Sequence, residues 1–479
     1  MSVKKNYFYN VILSGTNLLF PLLTFPYVSR ILEPAGIGRA QFAFTFAQYF
    51  SIIAAIGIPF YGIKEIAKHR NDKDSLNKTF SELIILSFWA SLIALAIYLA
   101  SVFMIPEFGQ NLDLYLISGL VVLFSFLNLD WLFSGLEDFR LITIRSVIIK
   151  SLALLILFLF VSDKGDVRAY VWVLTTALSG NYLLNLFYLK KKVRFLHKGL
   201  NYKKHLGPIL FILSSTFATT VYSTLDSVTL GLISNEFEVG LYTAAVKISK
   251  IAIPVVTGMS AVLIPRIANA IGKGDKKEEF TILNKSFSFI LFLSIPASFG
   301  LFLFRDEFIL LFSGVDFLLA AESLKYLAFL PFFIGLGYFF GFQVLVPNGL
   351  NRGLFLSTII GLFIFLGLNL LLTPERGAEG TAIAILCTEG LVTILYIAFT
   401  PNSIVTKLPW KEIVYCVLIS LLFYPIKSIL NILNLSTELS LVIGIFTCSF
   451  VYFLSQYYIF SNQFVKLGWN LIRKNKTPN

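Results

Sequence analysis

Lys247 and Lys250 lie three residues apart inside an apolar stretch, 241–264, long enough to cross a bilayer. On a helix that spacing puts both ammonium groups on nearly one face. Side by side in hydrocarbon they repel, so the pair calls for water or an anion such as phosphate or carboxylate. Asp226, on the preceding apolar stretch, offers a second reading. It could pair with Lys247 and join two helices, leaving Lys250 unmatched. Asp130 and Glu389 also sit deep in apolar stretches, and Lys427 lies nearer an end of its own. An ionised side chain at mid-membrane costs at least about 2.5–3.5 kcal/mol, so each needs a reason. Asp226, Asp130 and Glu389 suit either a coupling H+ or Na+ or a hydrogen bond to a neighbouring helix. Lys247, Lys250, Arg30 and Lys427 are the candidates to meet an anionic substrate. Arg30 and Arg39 flank residues 33–38, where a gate, contact with an anionic headgroup and simple interfacial anchoring all fit. Glu82, Lys150, Lys285 and Lys325 stand close enough to helix ends to reach water.

Other chemistry is excluded by composition. The three cysteines, Cys387, Cys416 and Cys448, are widely separated within apolar stretches, so neither a disulfide framework nor a CxxC metal site is present. His69, His197 and His205 fall in basic loops and read as solvated residues. No GxxxxGK[ST] phosphate loop occurs. No loop is longer than about 20 residues, the length of a single membrane span, which leaves no room for a soluble catalytic domain. The expectation is a protein that is not an enzyme and has no metal or cofactor.

The elements that must position these charges are apolar helices. The chain is 57% hydrophobic and 14% charged, with a mean hydropathy of +0.79, far from a soluble domain. Stretches of spanning length fall at 7–29, 40–63, 81–105, 114–136, 146–162, 169–189, 208–233, 241–264, 284–304, 321–346, 354–373, 381–400, 413–433 and 439–461. The run at 7–29 ends without a small-residue cleavage site and reads as a retained helix. With the N-terminus inside, 27 of the 39 Lys and Arg fall on cytoplasmic segments, Arg140 and Arg145 among them, and 6 on the opposite side. That asymmetry puts both termini in the cytoplasm. It also explains the net charge of +12 without a nucleic-acid partner, since anionic lipid headgroups suffice.

The chain contains a duplication. Leu76-Asn77-Lys78-Thr79-Phe80-Ser81 returns as Leu283-Asn284-Lys285-Ser286-Phe287-Ser288, Ile58-Pro59 as Ile264-Pro265, and Gly38 loosely as Gly240, all in order. The expected organisation is an N-terminal lobe of six helices at 1–207, a C-terminal lobe of six at 208–412, and a terminal helix pair with a basic tail at 413–479. Six is even, so the halves enter the membrane in the same sense. Such repeats are related by an axis along the membrane normal. Pro21 and Pro26, both within the first span, are the candidate hinge.

Four segments carry a family resemblance: FPYVSRILEPAGIG at 25–38, DWLFSGLEDF at 130–139, ITIR at 142–145 and VGLYTAAVKI at 239–248. With about fourteen spans in a 6+6+2 order, the chain resembles the O-antigen and capsule repeat-unit flippases of the multidrug/oligosaccharidyl-lipid/polysaccharide exporter superfamily. Ser134 departs from the Gln that branch often has there. The resemblance implies an all-α polytopic membrane protein with two parallel six-helix repeats in an inverted-V bundle. It also implies transport of undecaprenyl-pyrophosphate-linked oligosaccharide from the cytoplasmic to the periplasmic leaflet of a bacterial inner membrane. A polysaccharide polymerase and a chain-length regulator are the implied protein partners, beside the membrane lipids. Lys247 matches a cavity position of that family. The rival readings are a cation-coupled multidrug exporter of the same fold and a lipid-linked peptidoglycan precursor flippase. A membrane-embedded glycosyltransferase or polymerase fits poorly, because the longest outer stretch, 305–320, is mostly apolar.

Overall fold

A computed structural model describes residues 3–55, 57–190 and 192–458, except for the side chains of 3, 4, 7, 210–224, 259, 261 and 262. The basic tail residues Lys466, Arg473, Lys474 and Lys476 lie outside the described residues. Eighteen α-helices make up nearly all of what is described: α1 (Val3–Ala55), α2 (Ile58–His69), α3 (Lys73–Met104), α4 (Leu112–Leu123), α5 (Asp130–Gly135), α6 (Phe139–Phe160), α7 (Val167–Leu189), α8 (Lys203–Ile233), α9 (Glu236–Gly272), α10 (Lys276–Leu303), α11 (Arg305–Ser313), α12 (Ala320–Leu327), α13 (Leu330–Tyr338), α14 (Asn351–Phe399), α15 (Asn402–Val405), α16 (Lys411–Leu421), α17 (Phe423–Ile432) and α18 (Thr437–Tyr458). No strand occurs among the described residues. Ten helical stretches there are long and apolar enough to cross a membrane.

Those ten and the fourteen expected spans reconcile at particular residues. Helix α1 runs on into the second span, interrupted by Glu33 at φ 57°, ψ 174°. The next residue is Pro34, and a residue before proline is pushed out of the α region. Helix α14 likewise holds two spans, separated at Gly377 with φ 53°, ψ −126°, a conformation open to glycine. Asn369 ties the two segments together, its Oδ1 accepting from Thr373 Oγ1 at 2.7 Å and Thr381 Oγ1 at 3.1 Å. Helices α7 and α8 occupy the sixth and seventh expected spans. The stretch 114–136 is less regular than expected, since α4 gives way to a 3-10 turn and two non-helical residues before α5 begins at Asp130.

The chain divides into two compact units, Met1–Thr243 and Ala244–Asn479. In the first, Leu76, Phe80, Trp131, Leu132 and Phe133 centre one apolar core. In the second, Phe287, Phe339, Phe340 and Leu345 do so, with the terminal helices contributing Cys416, Phe423 and Tyr452. Large apolar side chains such as Leu159, Phe187, Leu371 and Phe446 point outward, as lipid-facing helices require.

The duplication is visible in the packing. Leu76 to Ser81 and Leu283 to Ser288 have the same sequence of environments: buried, half-buried, exposed, then three buried. Gly38 and Gly240 meet at a helix crossing within the first unit. A Cβ on Gly38 would lie 1.6 Å from the Glu236 carbonyl oxygen, and one on Gly240 would lie 1.9 Å from that of Pro34. Residues 34 and 38 thus meet 240 and 236 reciprocally, as segments related by a two-fold axis do.

Candidate functional site

Asp130 opens α5, Arg145 lies two turns into α6, and Asn181 and Asn185 share one face of α7 at a spacing of four. Tertiary packing draws these four together. Arg145 Nη2 donates to Asp130 Oδ1 at 2.5 Å, Nε to Asn181 Oδ1 at 3.3 Å, and Nη1 to Asn185 Oδ1. Asn185 Nδ2 in turn donates to the Leu127 carbonyl at 2.6 Å, which holds the amide in register. The arginine side chain is 3% exposed and the aspartate 50%. The result is a buried, fully oriented guanidinium whose counter-ion opens to an accessible space. This corrects the sequence reading of Arg145 as a cytoplasmic loop cation. Helix α6 begins at Phe139, well before the expected 146, and carries Arg145 inward.

Asp226 is buried on α8. Its Oδ2 accepts from Tyr242 Oη at 2.8 Å and its Oδ1 from the Ser227 amide at 2.8 Å. Tyr242→Phe keeps the ring and removes that donor. It is expected to cost about 1–3 kcal/mol, measured by thermal unfolding in detergent, while the shape of the crossing persists.

Lys247 is half-buried and Lys250 exposed on α9, with Val246, Ile248 and Ser249 buried around them. Ser249 Oγ donates to the Leu327 carbonyl at 2.6 Å, anchoring this turn to α12. Arg30 Nη1 donates to the Pro26 carbonyl at 2.5 Å on its own helix. Pro21 and Pro26 both lie within continuous helix, and the backbone of α1 leaves helical values at Glu33. Lys427 donates to Glu307 on α11, and its ammonium sits 4.8 Å from the centroid of the Phe304 ring. That geometry gives Lys427 a helix-joining contact. Glu389 is half-buried on the second segment of α14.

A second buried polar cluster was not legible in sequence. Glu82, with no exposed side-chain surface, receives Asn201 N at 2.7 Å, Lys204 Nζ at 2.8 Å and His205 Nε2 at 2.9 Å. His205 Nδ1 lies 2.7 Å from Tyr61 Oη. The expectation that His205 is solvated is therefore wrong. Helix α8 starts at Lys203 and turns the imidazole into the core against α2 and α3. A cleft of about 550 Å³ near the Glu33 end of the first unit is lined by Arg39, Asn111, Asp113, Asp166 and Arg168. There Arg168 pairs with Asp113 at 2.5 Å and Arg39 with Glu236 at 3.4 Å. Backbone N–H groups of Ser162 and Asp163 hold the Asp166 carboxyl below the usual carboxylate range. Among the described residues no group of three or more His, Cys, Asp or Glu could hold a metal ion.

The family profile described as polysaccharide biosynthesis protein matches residues 3–271, more than half the chain. The chain belongs to the polysaccharide biosynthesis protein family. A second profile, MatE, matches residues 212–374. A relative from Escherichia coli (strain K12), provisionally named an O-antigen transporter, is 26% identical over 84% of this chain and 98% of its own length. Another from Haloferax volcanii, provisionally named the low-salt glycan biosynthesis flippase Agl15, is 24% identical over 62% of each chain. Among solved structures, the lipid II flippase MurJ in an inward closed conformation superposes with a TM-score of 0.63 at 16% identity, covering 88% of this chain and 97% of its own. An inward-facing multidrug resistance MATE transporter gives the same TM-score and identity, covering 82% and 95%. This member of the polysaccharide biosynthesis protein family is thus a multi-pass membrane protein with the fold shared by those transporters.

Proposed function

We propose that the protein is a flippase that moves an undecaprenyl-pyrophosphate-linked oligosaccharide from the cytoplasmic to the periplasmic leaflet of a bacterial inner membrane, by alternating access of its two six-span halves. The observation that carries this reading is the Lys247–Lys250 face of α9, half-buried and exposed a turn apart inside an apolar helix. The sugar head of such a lipid cannot cross hydrocarbon unaided. Cations along a hydrated path would counter its pyrophosphate or acidic sugars while the polyprenyl tail stays in lipid. Arg145 is buried and its charge is matched by Asp130 within the first unit. The names of the relatives support a glycan-linked cargo. The MatE match at 212–374 favours a multidrug exporter as the second reading, but cationic drugs would meet like charge on α9.

Lys247→Ala tests the assignment. Loss of one charge-assisted contact worth about 1.5–3 kcal/mol corresponds to roughly 10- to 100-fold weaker handling of the cargo. In a strain lacking the gene, lipid-linked glycans are extracted and their leaflet assigned with an impermeant sugar label. Repeat units trapped inside, restored by the wild type and poorly by Lys247→Ala at equal membrane abundance, support the flippase. Outward-facing units in the deletion strain, together with increased drug susceptibility, move the reading to the exporter.

A further inference from the structure

A cleft of about 590 Å³ in the first unit lies between the turn that joins α5 to α6 and the end of α7. The turn is tight. Glu137 N donates to the Ser134 carbonyl at 3.0 Å and Asp138 N to that of Phe133 at 2.8 Å, with Glu137 at φ 58°. Glycine is the usual residue in that position after a helix. Both carboxylates that the turn presents are matched. Glu137 pairs with Arg70 of α2 at 2.5 Å, and Asp138 with Lys192 at 2.6 Å. Arg140, on the first turn of α6, is the remaining charge on the cleft lining. It is exposed, and among the described residues it makes no hydrogen bond or ion pair. With both pairs cancelled, the cleft keeps one net positive charge.

Beyond Arg140 the wall turns apolar. Leu141 and Ile144 line the cleft. Ile148, Leu152, Leu155 and Leu159 continue from them at the three- and four-residue spacing of one helix face. Those four side chains are exposed, so this face of the membrane helix meets lipid. The stretch 144–155 covers roughly 16 Å of helix, about half of a hydrocarbon core of about 30 Å. Arg140 thus stands at headgroup height, and an apolar track about one leaflet deep runs from it.

A phosphodiester carries one negative charge and accepting oxygens, which a guanidinium meets with two parallel N–H groups. One such group neutralises the cleft. A zwitterionic headgroup also brings an ammonium, and both carboxylates that could receive it are taken by Arg70 and Lys192. A soluble phosphate gains nothing from the track.

We propose that this cleft binds an anionic glycerophospholipid, with its phosphodiester on Arg140 and an acyl chain along the 144–155 face of α6. The site does not depend on which cargo the protein moves.

The test is native mass spectrometry of the full chain released from detergent micelles, titrated with dioleoyl phosphatidylglycerol or dioleoyl phosphatidylethanolamine. Phosphatidylglycerol is expected to fill one site ahead of all others and to bind there more tightly than phosphatidylethanolamine. Arg140→Gln is expected to weaken that binding about fivefold, the effect of one basic residue beside an anionic lipid. Arg352→Gln removes the same charge from an exposed position at the start of α14, and is expected to leave the binding unchanged. Melting temperature gives a second readout, because a ligand of the folded chain stabilises it. Phosphatidylglycerol is expected to raise it, and glycerophosphoglycerol, the same headgroup without its chains, is not. Equal affinity for the two lipids would mean hydrophobic adhesion alone. Equal losses in the two variants would mean diffuse attraction, and full protection by glycerophosphoglycerol a site for soluble phosphate. Any of the three overturns the proposal.

Discussion

Arg145→Ala is expected to cost about 2–4 kcal/mol of stability and most of the export activity together. Removing the guanidinium leaves the buried Asn185 Oδ1 without its donor, which costs about 1–3 kcal/mol, and opens a void where a long side chain packed. Asn185 cannot turn its amide to compensate, because its Nδ2 is held by the Leu127 carbonyl at 2.6 Å. Asp130, half exposed, keeps access to water and adds little. Asp130→Asn should therefore be milder than Arg145→Ala, by thermal unfolding in detergent. Arg145→Lys keeps the charge but lacks the forked group that reaches Asp130 on α5 and both Asn181 and Asn185 on α7. If the cation serves an anionic cargo, Arg145→Lys retains part of the export that Arg145→Ala loses. Equal export by all three variants would confine Arg145 to a structural role.

Gly240→Ala and Gly38→Ala should each destabilise by an amount at the upper end of the about 1–3 kcal/mol typical of overpacking. The obstacle in each case is a backbone carbonyl, that of Pro34 or Glu236, which no rotamer change moves aside. The helices would have to separate, taking with them the Arg39–Glu236 pair and the Asn111–Glu236 hydrogen bond at 3.0 Å. Small residues at crossings let membrane helices approach closely. The reciprocal geometry makes a sharper claim, that the two alanine variants have similar effects because the two glycines occupy equivalent places. Wild-type melting temperatures for both, or a large effect at one alone, would contradict that equivalence.

How much of this was legible depends on what each feature requires. Leu76 to Ser81 and Leu283 to Ser288 were recognisable as copies, and the structure gives them matching environments. The apolar stretches marked the helices well, because a membrane span must satisfy its own backbone over a fixed length. Arg145 and His205 were misplaced for one reason. Each stands near the expected edge of a span, where a basic residue by default faces the cytoplasm. Helices α6 and α8 begin earlier than the hydropathy suggests, at Phe139 and Lys203, which carries both side chains inside. Lys427 was a candidate for the cargo path, and Glu307, 120 residues away, became its partner.

Composition, length and repeat spacing thus determined by themselves that this chain is an all-helical, multi-pass membrane protein with an internal duplication. Those properties rest on summed apolar area and local backbone hydrogen bonding, which a linear sequence states outright. Which polar groups meet was decided by tertiary structure alone. Helix rotation and depth come from packing against neighbours, and only that packing sets Arg145 among Asp130, Asn181 and Asn185, or His205 between Glu82 and Tyr61.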